Sequence, residues 1–130
     1  MGVLDGKVAI VTGSARGIGR ATAELLSEQG ASVLINDLDG DVAQQTASEI
    51  PGDTVVHAGD LTADGACDAL VQTAIDTWGK IDIIVNNAGY TLDAPIHKMS
   101  DDWWDRMIAI HTTVPFKVLR AAAPHLREPA

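Results

Sequence analysis

The stretch TGSARGIG, residues 12–19, decides the fold of this 130-residue chain. It follows the apolar run Val8–Val11 and opens a helical pattern. Gly13 permits a sharp turn, Gly17 lets the backbone approach a phosphate, and Gly19 lets helix and strand pack closely. The N-terminus of the helix then offers free N–H groups and a partial positive charge to an anion. A glycine-rich turn that binds nothing is the alternative, but its position between strand and helix favours a phosphate-binding loop.

Four short apolar runs, rich in β-branched residues, predict the strands of one sheet. Runs of this kind, without alternation, suit parallel strands that are covered on both faces. The predicted strands are Val8–Val11, Ser32–Ile35, Thr54–Val56 and residues 81–85.

Helical patterns separate these strands and follow the last of them. The predicted helices cover residues 17–29, with Gly30 as the stop, residues 39–50, residues 62–78, capped by Thr62 and closed by Gly79, and residues 100 to about 126, capped by Ser100. The order βαβαβαβα predicts an α/β fold with a doubly wound parallel sheet of Rossmann type. With only four βα units the sheet is expected to be incomplete, in strand order 3-2-1-4 with right-handed crossovers.

Two helices carry recognisable apolar faces. Ile18, Ala21, Leu25 and Leu26 follow one another at helical spacing in the first helix. Pro115 should kink the fourth helix or loosen a turn there. The fourth helix carries a longer apolar stripe, which must be covered, formed by Trp104, Ile108, His111, Pro115, Val118 and Ala122.

The charge balance argues against several classes of partner. Nine Lys and Arg against eighteen Asp and Glu give a formal net charge of −9. Nucleic acids and anionic membranes require a basic face, so neither is an expected partner. The lone Cys67 permits no internal disulfide, which fits the reducing cytoplasm. His57, His97 and His125 are scattered, and no metal site is predicted.

Asp37 is the second marker of the predicted ligand. It ends the second predicted strand, close to the roughly 20 residues beyond the last glycine at which an acidic ribose ligand is expected. A carboxylate there accepts hydrogen bonds from ribose hydroxyls and repels a 2′-phosphate, which favours NAD over NADP. Arg16 argues in the other direction, because a base beside the phosphate loop can serve NADP. Helix capping is the alternative role for Asp37, and Asp39 and Asp41 are also candidates for it.

Three motifs in order resemble the classical short-chain dehydrogenases/reductases, and in particular members like the 3-oxoacyl-carrier-protein reductases. The motifs are Thr12-Gly13 with Gly17 and Gly19, then Asp60-Leu61, then Asn86-Asn87-Ala88-Gly89. The resemblance covers essentially the whole chain.

The resemblance implies a role for each motif. It implies that Asp60 contacts the adenine amino group, that Leu61 offers its backbone to the ring, and that Asn86, Ala88 and Gly89 lie along the ribose side of the cofactor. Those three also end a strand at the carboxyl edge of the sheet, where doubly wound folds bind ligands. Asn87 is interpreted as structural. The complete set of predicted cofactor contacts is Gly13, Ser14, Arg16, Gly17, Ile18, Gly19, Asp37, Asp60, Leu61, Asn86, Ala88 and Gly89.

The resemblance also implies hydride transfer between a nicotinamide cofactor and a small alcohol or carbonyl substrate. Family members use a Ser, a Tyr and a Lys four residues after the Tyr, beyond the fourth helix. The sole tyrosine is Tyr90, and position 94 is Ala. We therefore expect residues 1–130 to be a truncated NAD(P)-binding Rossmann domain that is inactive in isolation. A non-catalytic nucleotide-binding or self-associating fragment is the alternative.

His111 stands where the resemblance implies an Asn in the fourth helix, and it is the single candidate for a catalytic position. A core histidine on the apolar stripe is the favoured alternative.

Self-association is the last expectation. The fourth strand should be an exposed apolar edge, and the fourth helix should bare parts of Trp103, Trp104, Met107 and Leu119. Such edges invite pairing with another chain. The resemblance implies a subunit interface on the same helix, and we expect a homo-oligomer, in the first instance a dimer.

Overall fold

The computed structural model describes residues 2–126 and contains one four-stranded parallel sheet. Its strands are β1 (Val8–Val11), β2 (Ser32–Ile35), β3 (Thr54–Val56) and β4 (Ile83–Val85). They lie in the order β3-β2-β1-β4, with every neighbouring pair parallel. The predicted order 3-2-1-4 is therefore confirmed.

The strand β4 begins two residues later than predicted. The amide of Val8, which a longer ladder with β4 would use, donates instead to a carboxylate oxygen of Asp82 at 2.9 Å. Lys80 lies 2.9 Å from the same oxygen. The Asp82 side chain thus accepts the Val8 N–H, while the Asp82 backbone N–H donates to the Val8 carbonyl at 2.9 Å.

Helices cover both faces of the sheet. They are α1 (Gly17–Glu28), α2 (Gly40–Glu49), α3 (Ala66–Trp78), α4 (Asp101–Ile108) and α5 (Val114–Leu126). One apolar cluster joins Ala9 and Val11 to α1 and α2, and the other joins Ile10 to α3 and α5. Because successive side chains of a strand point to opposite faces, the apolar run of β1 is buried on both sides. No helix within residues 2–126 has the length and apolar character needed to cross a membrane.

The helix caps agree with the sequence in two cases and differ in one. Ser100 caps α4 by accepting the Trp103 N–H at 3.1 Å, and Gly79 closes α3 in the left-handed region. The predicted cap of the third helix, Thr62, is wrong, because α3 begins only after Gly65. The Thr62 hydroxyl donates to the carboxylate of Asp60, a charged acceptor that binds more strongly than a neutral one.

Small residues, rather than the large aliphatic ones, form the face of α1 that packs on the sheet. Ile18 is 80% exposed and Leu25 is 57% exposed, whereas Gly19 and Ala23 are buried. Gly19 brings the helix so close to the β1 turn that large side chains must lie along its flanks. Among the predicted apolar positions, Leu26 packs partly against the core.

The predicted stripe on the last helix is interrupted. A π-helical turn, Ala109–Thr113, joins α4 to α5, and it is the loosened turn that Pro115 predicts, since proline has no N–H for the carbonyl of His111. The turn shifts the helical phase, so Trp104, Ile108 and His111 are exposed. The buried stripe consists of Ile110, Val114, Val118 and Ala122.

We expect truncation of two leucines to change the stability of the protein by very different amounts. Leu70 on α3 is fully buried, so Leu70→Ala should lower the free energy of unfolding by about 2–5 kcal/mol through the cavity it leaves. Leu25→Ala on α1 should change it by no more than about 0.5 kcal/mol. Urea denaturation followed by circular dichroism measures both. A large loss at Leu25 would contradict the orientation of α1.

Candidate functional site

A cleft of about 390 Å³ lies at the carboxyl edge of the sheet. This volume is within the usual range for small-molecule sites. Segments that follow all four strands line it, and they bring together most of the predicted cofactor contacts. The predicted residues in its wall are Gly13, Arg16, Ile18, Asp37, Asp60, Leu61, Ala88 and Gly89. The wall also contains Asn36, Leu38, Gly59, Asn87, Tyr90 and Ile110.

The turn after β1 is fastened to the tips of both neighbouring strands. Thr12 is buried, and its hydroxyl accepts the amides of Asn87 at 3.0 Å and Ala88 at 2.9 Å. Asn87 in turn donates its side-chain amide to the Gly13 carbonyl at 3.1 Å. The structural role predicted for Asn87 matches these contacts, although its side chain also reaches the cleft wall.

The structure places Ser14 outside the cleft. Its side chain is fully buried and donates to the Val11 carbonyl at 2.7 Å. Its backbone N–H donates to the Asn36 carbonyl at 2.7 Å. With both donors used inside the protein, Ser14 shapes the turn. Its contact with a cofactor stays a prediction.

The N-terminus of α1 remains open toward ligands. No side chain in the described part of the chain caps it, and the first-turn amides of Gly17, Ile18 and Gly19 have no carbonyl partner within the helix. Gly13 and Gly17 both have a φ of +64°, which L side chains rarely adopt. These two glycines turn the chain so that the helix begins beside the cleft, where its amides and dipole favour an anion.

Gly19, the third glycine of the loop, lies directly against Gly13. A Cβ on Gly19 would overlap the carbonyl oxygen of Gly13. A Cβ on Gly13 would lie 2.9 Å from the Cα of Ala88. The loop therefore packs between α1 and the tip of β4 at distances that only glycine allows.

Asp37 faces the loop from the tip of β2. One carboxylate oxygen accepts the Ala15 N–H at 3.2 Å, and the other accepts the Leu38 N–H at 2.9 Å. The capping alternative does not hold for Asp37, because Asp39 caps α2 by accepting the amides of Asp41 and Val42. Asp37 is thus held half-buried beside the cleft, with lone pairs left for a ligand.

Arg16 is partly engaged. Its guanidinium lies 3.6 Å from the carboxylate of Asp39, in an exposed pair. Such pairs contribute at most about 1 kcal/mol, so Asp39 restrains Arg16 only weakly. Arg16 still lines the cleft.

Asp60 follows β3 and is ionised at neutral pH. The hydroxyl and the backbone N–H of Thr62 both donate to its carboxylate, at 2.6 and 2.9 Å, and hold the pKa of Asp60 below its usual value. Leu61, the next residue, is buried in the core and still reaches the wall of the cleft.

His111 is not a core residue, so that interpretation is corrected. Its side chain is exposed, and Nε2 donates to the Tyr90 carbonyl at 2.9 Å. The ring packs so closely on Gly89 that a Cβ there would lie 2.5 Å from Cε1. The π-turn swings this position away from the buried stripe and toward the loop after β4. Neither His111 nor Asn86 lines the cleft itself, within the part of the chain that the structure describes.

Comparison with known proteins identifies the family. The sequence model of the short chain dehydrogenases matches residues 7–130. The chain belongs to this family. It is 42% identical over 120 residues to a sorbitol dehydrogenase of Cereibacter sphaeroides, covering 92% of this chain and 47% of that protein.

Solved structures agree with this chain in fold. A short chain dehydrogenase from Mycobacterium avium superposes with a TM-score of 0.91 at 37% identity, covering 95% of this chain and 47% of that one. A metagenomic short-chain oxidoreductase in complex with NADP superposes with a TM-score of 0.89 at 37% identity. The match covers 95% of this chain and 57% of that one. The chain spans about half the length of these relatives.

The sequence analysis missed Asn36 as a residue of the cleft. Asn36 is buried, contacts Gly13 and lines the cleft. The available signal was a polar residue directly after the apolar run of β2, one position before Asp37. Tyr90 also lies in the wall of the cleft, with the Arg106 guanidinium 5.8 Å from the centre of its ring.

We expect Gly19→Ala to lower the free energy of unfolding by about 1–3 kcal/mol, because the added methyl overlaps backbone that is held from two sides. Gly40→Ala is the matched control, since its Cβ would meet only Ala58 at an ordinary 3.4 Å. Thermal denaturation of both variants gives the difference. Equal effects at the two positions would contradict the close packing of Gly19 on the β1 turn.

Proposed function

We propose that this chain binds NAD and forms the cofactor-binding part of an oxidoreductase. The reaction would transfer hydride between the nicotinamide and an alcohol or carbonyl substrate. The observation that carries the proposal is the carboxylate of Asp37, held beside an uncapped helix N-terminus in one cleft. A dinucleotide has the matching chemistry, with bridging phosphates for the amides and a ribose diol for the acid.

Ser14 and Arg16 aside, each predicted contact has a place in this proposal. The amides of Gly17, Ile18 and Gly19 hold the pyrophosphate, while Gly13 leaves room for it. Asp37 accepts hydrogen bonds from the adenosine ribose. Asp60 and Leu61 contact the adenine. Asn86, Ala88 and Gly89 lie on the nicotinamide side of the cofactor.

NAD is preferred over NADP in this proposal because Asp37 would repel a 2′-phosphate at the position where it accepts the ribose hydroxyls. Arg16 is the opposing group, and Asp39 offsets part of its charge. One structural relative was solved in complex with NADP, so a fold of this kind can also hold the phosphorylated cofactor. The choice therefore depends on the residues at the tip of β2.

The contribution of this segment to catalysis is binding and orientation. The bound cofactor would supply the hydride chemistry. Tyr90 is the sole tyrosine, its backbone carbonyl is held by His111, and Ala94 stands four residues later. We propose that residues 1–130 form one NAD(P)-binding domain that binds without turnover, with His111 as a support for the loop after β4.

Calorimetric titration with NAD and NADP tests the cofactor assignment. We expect NAD to bind at least about tenfold more tightly, a difference of about 1.4 kcal/mol. Asp37→Ala should weaken NAD binding by about 1.5–3 kcal/mol, the range for hydrogen bonds to a charged group, and should leave NADP binding unchanged or stronger. Asp41→Ala is the control, because it removes one negative charge from α2 outside the cleft.

Three results would contradict this assignment. They are tighter binding of NADP, equal losses in the two aspartate variants, and failure of the unmodified chain to bind either dinucleotide. Alcohol-dependent reduction of NAD by the chain itself would show that the expectation of inactivity is wrong.

We also propose that the chain self-associates through α4 and α5. These helices expose large apolar side chains. The strand β4, which pairs with β1, is an edge strand of the sheet. The exposed side chains are Trp103, Trp104, Ile108, Phe116, Leu119 and Leu126. Several large apolar side chains exposed on two successive helices favour an interaction site there. A cytoplasmic location stays a prediction from the sequence.

Light scattering at tens of micromolar measures the assembly. We expect the mass of a dimer for the chain and a shift toward the monomer for Leu119→Asp, because a charge in an apolar interface is costly to bury. Val3→Asp, at an exposed aliphatic residue far from these helices in sequence, should leave the mass unchanged. A monodisperse monomer of the unmodified chain would contradict self-association.

A further inference from the structure

Asn36 joins three strand tips through one side chain. Its Oδ1 accepts the Gly13 N–H at 3.2 Å, and its Nδ2 donates to the His57 carbonyl at 2.9 Å. Gly13 follows β1, Asn36 follows β2 and His57 follows β3. Asn36 is buried, at 2% exposure, and both bonds are partly shielded from solvent.

The backbone of Asn36 adds a second pair of links. Its N–H donates to the Ser14 hydroxyl at 2.9 Å, and its carbonyl accepts the Ser14 N–H at 2.7 Å. Any residue at position 36 could make these backbone bonds. The side-chain links are different, because they require a donor and an acceptor on one short, planar group, which asparagine supplies.

The peptide groups of Gly13 are consequently held from opposite sides. Asn36 takes the N–H from the β2 side, and Asn87 donates to the carbonyl from the β4 side. Gly13 has a positive φ and begins the turn that leads into α1. The direction of this turn sets where the first amides of α1 meet the cleft.

We propose that Asn36 is a positioning residue that orders the loop 13–19, and that it thereby sets the affinity of the cleft for a dinucleotide. The effect on affinity rests on the proposed function, whereas the ordering of the loop concerns the protein without ligand. Removal of the side chain leaves the Gly13 N–H and the His57 carbonyl, both partly buried, without these partners. Both groups then favour other conformations of the turn.

A purely stabilising role would give different results from a positioning role. Asn36→Ala removes the acceptor for Gly13 and the donor for His57 together. Asn36→Asp keeps an acceptor for Gly13, whether the acid is ionised or protonated, yet strains the contact with His57 and places charge in the interior. Both variants should lower Tm, but only Asn36→Ala should release Gly13.

Hydrogen exchange measured by NMR, without ligand, distinguishes a positioning role of Asn36 from a purely stabilising one. We expect the Gly13 amide to exchange at least about tenfold faster in Asn36→Ala, relative to the Leu34 amide of β2. Asn36→Asp should retain most of the protection of Gly13. Val118→Ala is the control for lost stability, since Val118 is fully buried on α5, away from the cleft. Unchanged exchange at Gly13 in Asn36→Ala, or exchange that follows Tm in all three variants, overturns the proposal.

Calorimetry with NAD then measures the consequence for binding. We expect Kd to rise about tenfold in Asn36→Ala and less than twofold in Val118→Ala at a temperature where both are folded. Equal Kd values in the two variants would refute the effect on affinity. If the unmodified chain binds no NAD, the proposed function fails, and the exchange data alone still decide whether Asn36 orders the loop.

Discussion

The turn at Gly13 has no space for a side chain, and the geometry of the cleft depends on that constraint. Ala88 lies against one side of it and Gly19 lies beneath it. Because the turn is held so closely, α1 begins at the carboxyl edge of the sheet with its first amides uncapped. The strand order β3-β2-β1-β4 places this turn between its two neighbours, so both contribute polar groups to it.

Electrostatics explains how a chain of net charge −9 can offer an anion site. The positive potential comes from backbone amides and the dipole of α1, not from a basic surface. The acids around the cleft are held by local hydrogen bonds. Asp37 accepts two backbone amides, and Asp60 accepts two donors from Thr62. Fixed carboxylates can select between ligands that share a pyrophosphate and differ at a sugar.

The π-turn between α4 and α5 divides one continuous helix by function. Beyond it, Val114 and Val118 complete the core against α3. Before it, Trp104 and Ile108 face outward. Within it, His111 is turned toward the loop after β4. One extra residue in a turn thus lets one helix pack the core, present an apolar surface and support the edge of the cleft.

The sequence by itself determined the order of elements, the glycine-rich loop at the start of α1 and the acid at the tip of β2. These features are local: apolar runs, helical spacing and glycine positions lie within a few residues of one another. Only the tertiary structure decided that Ser14 points inward, that Asn36 joins three strand tips and that His111 leaves the core. Each of these depends on a partner distant in the sequence or on the phase shift of a π-turn. A local pattern carries no information about such partners, because they meet only after the sheet has assembled.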